Sequence, residues 1–265
     1  MTQLRQIPTS LSDNRGIPTL GILTGISYVS GLDYFKGINE RVLANTPKRH
    51  LMSPNPPIVM VSVDCDQYVH YLTLKSFAKV VEHLLTGVRK LVAAGCDILV
   101  IASNTGHIGV PAVESDFPKL KILHIADCCA FQSKKQGFSK VGLIGTKPTM
   151  EEDYLKSRLL QHGIATLVPQ EEQTQEEIYE IICQELSYNI FRDESRMKMV
   201  KAIRGLEARG AEACILGCTE IELLVQQEHI PSLPLLPSAE IHIQTAANVL
   251  LERVKLEDVL PPEEQ

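Results

Sequence analysis

AAGCDILVIASNT, residues 93–105, lies without a gap over ARGAEACILGCTE, residues 208–220. Each stretch closes a helix on glycine, runs through a strand-length apolar segment and ends in a polar turn. A second pair, LGILTG (20–25) and VGLIGT (141–146), repeats the likeness. The chain therefore reads as two copies of one α/β half. Ser103 and Cys218 occupy matching positions, and two halves facing each other about a pseudo-two-fold axis bring them to one cleft from opposite sides. Gly95 and Gly210 read as helix C-caps ahead of the matching strands.

Working outward, short runs rich in Ile, Leu and Val recur as TLGILTG, PPIVMVSVD, DILVIAS, LKILHIAD, KVGLIGT, IATLVP, EACILGC and LPLLPS. Between them lie amphipathic patterns such as LTLKSFAKVVEHLLTGVRKLVAAG and SRMKMVKAIRGLEARG, with apolar residues at three and four. Strand and helix alternate along the whole chain. This predicts an α/β fold of two pseudo-symmetric Rossmann-like domains, each with a parallel central sheet, and an active site in the cleft between them. The expected division is an N-terminal tail at 1–16, a first α/β domain at 17–136 completed by a C-terminal helix at 239–254, a second domain at 137–238, and a mobile acidic tail at 255–265.

Composition narrows the function. The 265 residues carry a formal net charge of -6, and no basic cluster is interleaved with aromatics, which argues against a nucleic-acid partner. No apolar stretch approaches the roughly 20 residues of a membrane span, and residues 1–16 lack the apolar core of a signal peptide. The seven cysteines have no CxxC spacing, which fits free thiols in a reducing compartment, most simply the cytosol. Five of them, Cys65, Cys96, Cys128, Cys183 and Cys214, read as buried inert thiols. Cys218 differs by its place at a strand end. If a helix starts after each polar turn, with Thr105 or Thr219 capping it, free N–H groups and the helix dipole favour a bound carboxylate and a Cys218 thiolate near neutral pH.

GCTEIELL, together with IASNTGH, resembles the two active-site signatures of the cofactor-independent aspartate/glutamate racemase family. LGILTGISYVSGLDYFKGINE, SVD, LHIAD, VGLIGTKPTM and DESR also have family counterparts in the same order, so the resemblance covers residues 18–250. It implies an amino-acid substrate, no cofactor or metal, a homodimer, and a pair of acid/base groups that exchange the α-proton on opposite faces of one carbon. The family pair is two cysteines; here the first position is Ser103 and only Cys218 is retained, as in a branch with a hydroxyl residue there. Carried over by position, Cys218 acts on the L side and Ser103, or water it holds, on the D side. The resemblance also assigns substrate binding to Ile26, Ser27, Asn104, Thr105, Thr146 and Thr219.

Other residues have two readings each. His107 and Glu220 either orient or deprotonate the adjacent acid/base group, or serve as cap and solvated carboxylate. Lys147 can offset a side-chain carboxylate. Arg49 sits near the place of a family arginine, though its spacing is irregular. Asp64 and Asp127 read as turn or N-cap residues. Leu236-Pro237-Ser238 stands where the family has an Asp-Thr pair, so an acidic contact is missing. Four rivals remain. Zinc on His124, Asp127, Cys128 and Cys129 fits tetrahedral geometry poorly, and a dinucleotide site lacks GxGxxG. A single-cysteine decarboxylase-like lyase or a non-catalytic amino-acid-binding protein shares the fold.

Overall fold

The computed structural model describes residues 17–47 and 55–262. The N-terminal segment 1–16, Arg49 and residues 263–265 lie outside the described residues. All eight apolar runs form strands, in two parallel sheets of four. In the first, β1 (Leu20–Thr24), β2 (Ile58–Ser62), β3 (Ile98–Ile101) and β4 (Lys121–Ile122) take the order β2-β1-β3-β4. In the second, β5 (Lys140–Gly145), β6 (Ala165–Leu167), β7 (Ala213–Gly217) and β8 (Leu235–Pro237) take the order β6-β5-β7-β8. The orders are equivalent, with Leu20 opposite Ile58 and Ile98, and Val141 opposite Thr166 and Ala213. The repeat in the sequence is thus a repeat in topology.

Strands buried on both faces read as continuous apolar runs, because each alternate residue meets a different helix layer. Ile22 and Val100 face α1 (Tyr28–Asn45) and α11 (Ser238–Leu250), through Tyr34, Ile38, Ile243 and Ala246. Leu23, Leu99 and Ile101 face α3 (Phe77–Ala93), through Val80, Leu84 and Val88. In the second lobe Ile144 and Leu216 pack beneath α8 (Glu172–Gln184) and α9 (Asp193–Ala208). Val141, Leu143, Ala213 and Ile215 pack on α7 (Asp153–Gln161) and on α5 (Ile125–Lys135). Helix α5 gives Cys128 to the first-lobe core and Ile125, Ala126 and Cys129 to the second, so it joins the lobes by shared packing.

Both cap glycines are left-handed, Gly95 at φ 79° and Gly210 at φ 89°. Each closes a helix by a double bond pattern: Gly95 N–H to Val92 O with Cys96 N–H to Leu91 O, and Gly210 N–H to Glu207 O with Ala211 N–H to Leu206 O. The chain then drops directly into β3 or β7.

Two expectations are corrected. The pattern LTLKSFAKVVEHLLTGVRKLVAAG is not one helix: α2 (Cys65–Thr73) ends first, Lys75 turns at φ 50°, and α3 begins at Phe77. The acidic end is not a loose tail either. Its residues Leu256–Val259 form helix α12, with Leu256 and Val259 buried in the first-lobe core and Glu257 paired to Lys121 at 2.9 Å. Among the described residues no helix is long and apolar enough to cross a membrane.

Candidate active site

The carboxyl end of β3 runs through Ala102 and Ser103 into a 3-10 turn, Thr105–Gly109. Ser103 Oγ accepts the Gly106 N–H at 3.2 Å. Gly106 has no side chain for a reason: a Cβ there would lie 2.8 Å from both Ile101 and Ile26, whose side chain covers the turn. Behind the turn, His107 Nδ1–H donates to Ser103 O at 2.7 Å and its Nε2 accepts the Ile125 N–H at 3.2 Å. Both ring nitrogens are used, and burial pushes the imidazole down to about 4. His107 therefore orients the turn and has no lone pair to take a proton from Ser103.

The matching turn after β7 differs. Cys218 Sγ–H donates to Glu220 Oε2 at 2.9 Å, and Thr219 Oγ1–H donates to the same oxygen at 2.6 Å. With its proton committed, Thr219 accepts from Ser30 Oγ of α1 at 2.9 Å, which ties the second-lobe turn to the first lobe. The expected thiolate is corrected. Burial, then the charge of Glu220, pushes the Cys218 thiol well up, and α10 (Ile221–Leu224) is too short a helix to oppose them. The resting pair is a thiol beside a proton-accepting carboxylate.

Further bonds join the turns. Asn104 Nδ2–H donates to Ser238 Oγ at 2.9 Å, and Ser238 Oγ–H donates to Leu216 O in β7 at 2.7 Å. Thr105 and Thr146 hydroxyls meet at 2.8 Å, Thr149 bonds Thr146 at 2.9 Å, and Tyr154 bonds Thr149 at 3.1 Å. The strand ends of both lobes thus converge, bringing Asn104, Thr105, Thr146 and Thr219 together at the junction. Ser27 caps α1, accepting the Ser30 N–H at 3.4 Å, and Ile26 O accepts the Cys65 thiol at 3.1 Å. Surface grooves of about 510 and 620 Å³ lie on α8 and α9 and include none of these residues, so concavity alone does not locate the chemistry.

A family model described as Asp/Glu/hydantoin racemase matches residues 23–246, most of the chain and both turns. This protein belongs to the Asp/Glu/hydantoin racemase family. It is similar to the crystal structure of a candidate Asp/Glu racemase from Yersinia pestis, at 33% identity and TM-score 0.79, covering 88% of this chain and 99% of that one. An aspartate racemase homologue from Pyrococcus horikoshii shares 26% identity at TM-score 0.72, with 88% and 99% covered. Glutamate racemase from Aquifex pyrophilus, at 19% identity and TM-score 0.58 with 90% and 84% covered, has the same fold.

In this racemase-family chain several side residues take other places than the sequence suggested. Asp127 is neither turn nor cap. It sits in α5, fully buried, bidentate with Arg158 at 2.9 and 3.0 Å and bonded to His162 Nε2 at 2.8 Å, both from the second lobe. His124 is the N-cap of α5, through an Ala126 N–H bond at 3.1 Å, while Cys128 and Cys129 enter different cores. These four are committed to packing and pairing, not to one centre. Asp64 does cap α2, accepting the Gln67 N–H at 3.2 Å. Lys147 pairs with Glu176 at 2.6 Å rather than facing the junction unpaired. Cys65 is exposed, and Cys96 and Cys183 are half-buried, where a buried place was expected.

Sequence reading missed Glu222. Its Oε1 accepts the Ala239 N–H at 3.1 Å, serving the first turn of α11, whose N-cap Pro237 offers no side-chain acceptor. Burial pushes the Glu222 carboxyl up to about 8, with Glu240, Glu220 and Asp33 adding in the same direction.

These buried groups set the pH range of stability. His107, His124 and His242 form one buried cluster, with His107 4.4 Å from His124 and 5.9 Å from His242 between ring centroids. Burial pushes all three down, His242 to about 3. A histidine depressed by folding stabilises fully above the unfolded value of 6.5 and loses that contribution as pH falls. Glu222, raised from 4.5, has the opposite sense: its contribution falls as pH rises toward about 8. Three histidines outweigh one carboxyl between the two ranges. Melting temperature against pH is expected to peak at roughly 6.5. Glu222→Gln should flatten the fall between there and pH ~8; a wild-type curve still rising through that interval contradicts this.

Proposed function

We propose that this protein is a cofactor-independent amino-acid racemase, acting on aspartate or glutamate, with Cys218 as the thiol acid/base on the L side and Ser103 at the opposite position. The observation that carries the reading is the Cys218 thiol hydrogen-bonded to Glu220 at 2.9 Å, on the turn that pairs by duplication with Ser103. In the ligand-free protein Glu220 holds the proton on sulfur; the ammonium group of a bound amino acid offsets the Glu220 charge, the thiol then passes its proton to Glu220, and the thiolate removes the α-proton of the L-amino acid. Ser103, or water bonded to it, returns a proton to the other face, and solvent restores both groups. Asn104, Thr105, Thr146 and Thr219, with the Ile26–Ser27 loop, hold the amino and carboxylate groups. Family membership and the racemase relatives support the reaction class. A homodimer in the cytosol belongs to the same proposal; Tyr28, Leu32 and Phe35, 73%, 54% and 43% exposed, make an uncovered apolar stripe on α1 that supports it.

The two faces are unequal. Cys218 has a neighbouring carboxylate, whereas the nearest imidazole to Ser103 is spent on backbone bonds. The same observation favours a second reading, a lyase that only reprotonates a carbanion from one face. Incubation with L- and D-aspartate, glutamate and other amino acids in heavy water, and with malonates, separates them. Expected is α-deuterium with inversion. Carbon dioxide from a malonate without amino-acid exchange identifies the lyase, and binding without exchange identifies a non-catalytic binder.

A further inference from the structure

Ser238 opens α11, is fully buried, and bonds to both lobes. Its Oγ–H donates to Leu216 O of β7 at 2.7 Å, and a carbonyl can only accept, so the hydroxyl proton is committed. Only lone pairs remain on Ser238 Oγ. The Asn104 amide, 2.9 Å away, must therefore turn its Nδ2 end toward Ser238, which leaves its oxygen at the other end. Asn104 begins the 3-10 turn without a side-chain cap bond, so that oxygen is not spent on the turn's own backbone. Among the described residues Oδ1 accepts no hydrogen bond, yet it is not sealed in: the buried side-chain oxygens and nitrogens without a partner there are Tyr68 OH and Thr166 Oγ1. An open acceptor thus stands between Ser103 and Thr105.

We infer that Ser238 is a positioning residue: it fixes which end of the Asn104 amide meets the substrate, and so makes the first-lobe turn a reader of the α-ammonium group. This rests on the racemase reading and deepens it. A half-turn about the last side-chain bond of asparagine exchanges an acceptor for a donor of nearly the same shape, so an unheld amide discriminates poorly. Of the polar groups on the α-carbon, the ammonium donates and the carboxylate only accepts. With its oxygen presented, Asn104 binds the first and repels the second, which decides which way round the substrate lies between Cys218 and Ser103. Position 238 is itself anchored. The next residue, Ala239, donates its N–H to Glu222 Oε1 at 3.1 Å, so α10 of the second lobe steadies the residue that orients an amide of the first. Ser238 touches no reacting atom.

Ser238→Ala removes the lone pairs that hold Nδ2 and frees the amide to flip. KM for L-aspartate or L-glutamate should rise about tenfold or more. Inhibition by succinate or glutarate, the same molecules without the amino group, should stay within about twofold, because they carry no ammonium for Asn104 to read. Ser238→Thr keeps the hydroxyl and should restore the wild-type pattern. If loss of the Leu216 O partner keeps the alanine variant from folding, Ser238→Cys retains an S–H for that carbonyl while offering Asn104 only a weak sulfur acceptor; the same selective rise is expected, smaller in size. A rise shared equally by the amino acids and their deaminated analogues shows general distortion of the turn and overturns the inference, as does a KM unchanged by the substitutions. The two proposals fail differently. Wild type that exchanges amino acids while the variants lose both ligand classes alike, or neither, sinks the positioning role alone; wild type that neither binds nor exchanges any amino acid sinks the racemase reading and the ligand assigned to Asn104 with it.

Discussion

Cys218→Ser is expected to lower α-proton exchange from L-substrate by about 10³-fold or more, with the fold intact. The substitution keeps size and a hydrogen-bond donor to Glu220, so the turn and its bond to Ser30 through Thr219 persist. What changes is acidity. Glu220 can take a proton from a thiol; a hydroxyl gives one up several orders of magnitude less readily. Glu220→Gln, which leaves the thiol but removes the acceptor charge, should cost less, about 10–100-fold, because solvent can still receive the proton. Exchange measured by NMR in heavy water checks both, and Cys218→Ser with wild-type exchange would remove Cys218 from the chemistry.

Asp127→Ala is expected to destabilise by about 3 kcal/mol, since it leaves the buried His162 and the partly exposed Arg158 guanidinium without their shared carboxylate. Among the described residues Arg158 then keeps only a long contact to Glu114 at 3.5 Å. The loss is one of lobe junction as well as of stability, because Asp127 comes from α5 and its partners from α7. Adding Arg158→Met to Asp127→Ala should recover a large part of the loss by removing the uncompensated charge. Urea denaturation of the single and double variants measures it; a single-variant loss below ~1 kcal/mol would place the pair among weak surface contacts.

Why the strands could be read and these pairings could not follows from the physics of each. Parallel strands covered on both faces must be apolar throughout, so DILVIAS and EACILGC announce β3 and β7 directly. Gly95 and Gly210 were legible because a left-handed closure before a strand leaves few other residues. Ser103 and Cys218 stood out through duplication, a signal internal to the chain. Asp127 gave no such signal: its partners lie more than thirty positions on, and nothing in HIAD distinguishes a capping carboxylate from one that bridges lobes. Glu222 was hidden likewise, since its role is set by Ala239 and by the proline before it. The thiolate expectation failed on magnitude. A four-residue helix supplies a weak field, whereas burial and the adjacent Glu220 both hold the proton on sulfur.

The central claim is that one face of the substrate carbon meets a thiol with a proton acceptor beside it and the other meets a hydroxyl with none. The ratio of α-deuterium incorporation to stereochemical inversion, measured on L-aspartate or L-glutamate in heavy water by NMR and chiral separation, tests it most directly. Cys218 can return a solvent-derived deuteron to the face it deprotonated, faster than Ser103 completes the inversion, so the ratio should exceed about ten and fall toward one in Ser103→Cys. A wild-type ratio near one, unchanged by that substitution, would contradict the account.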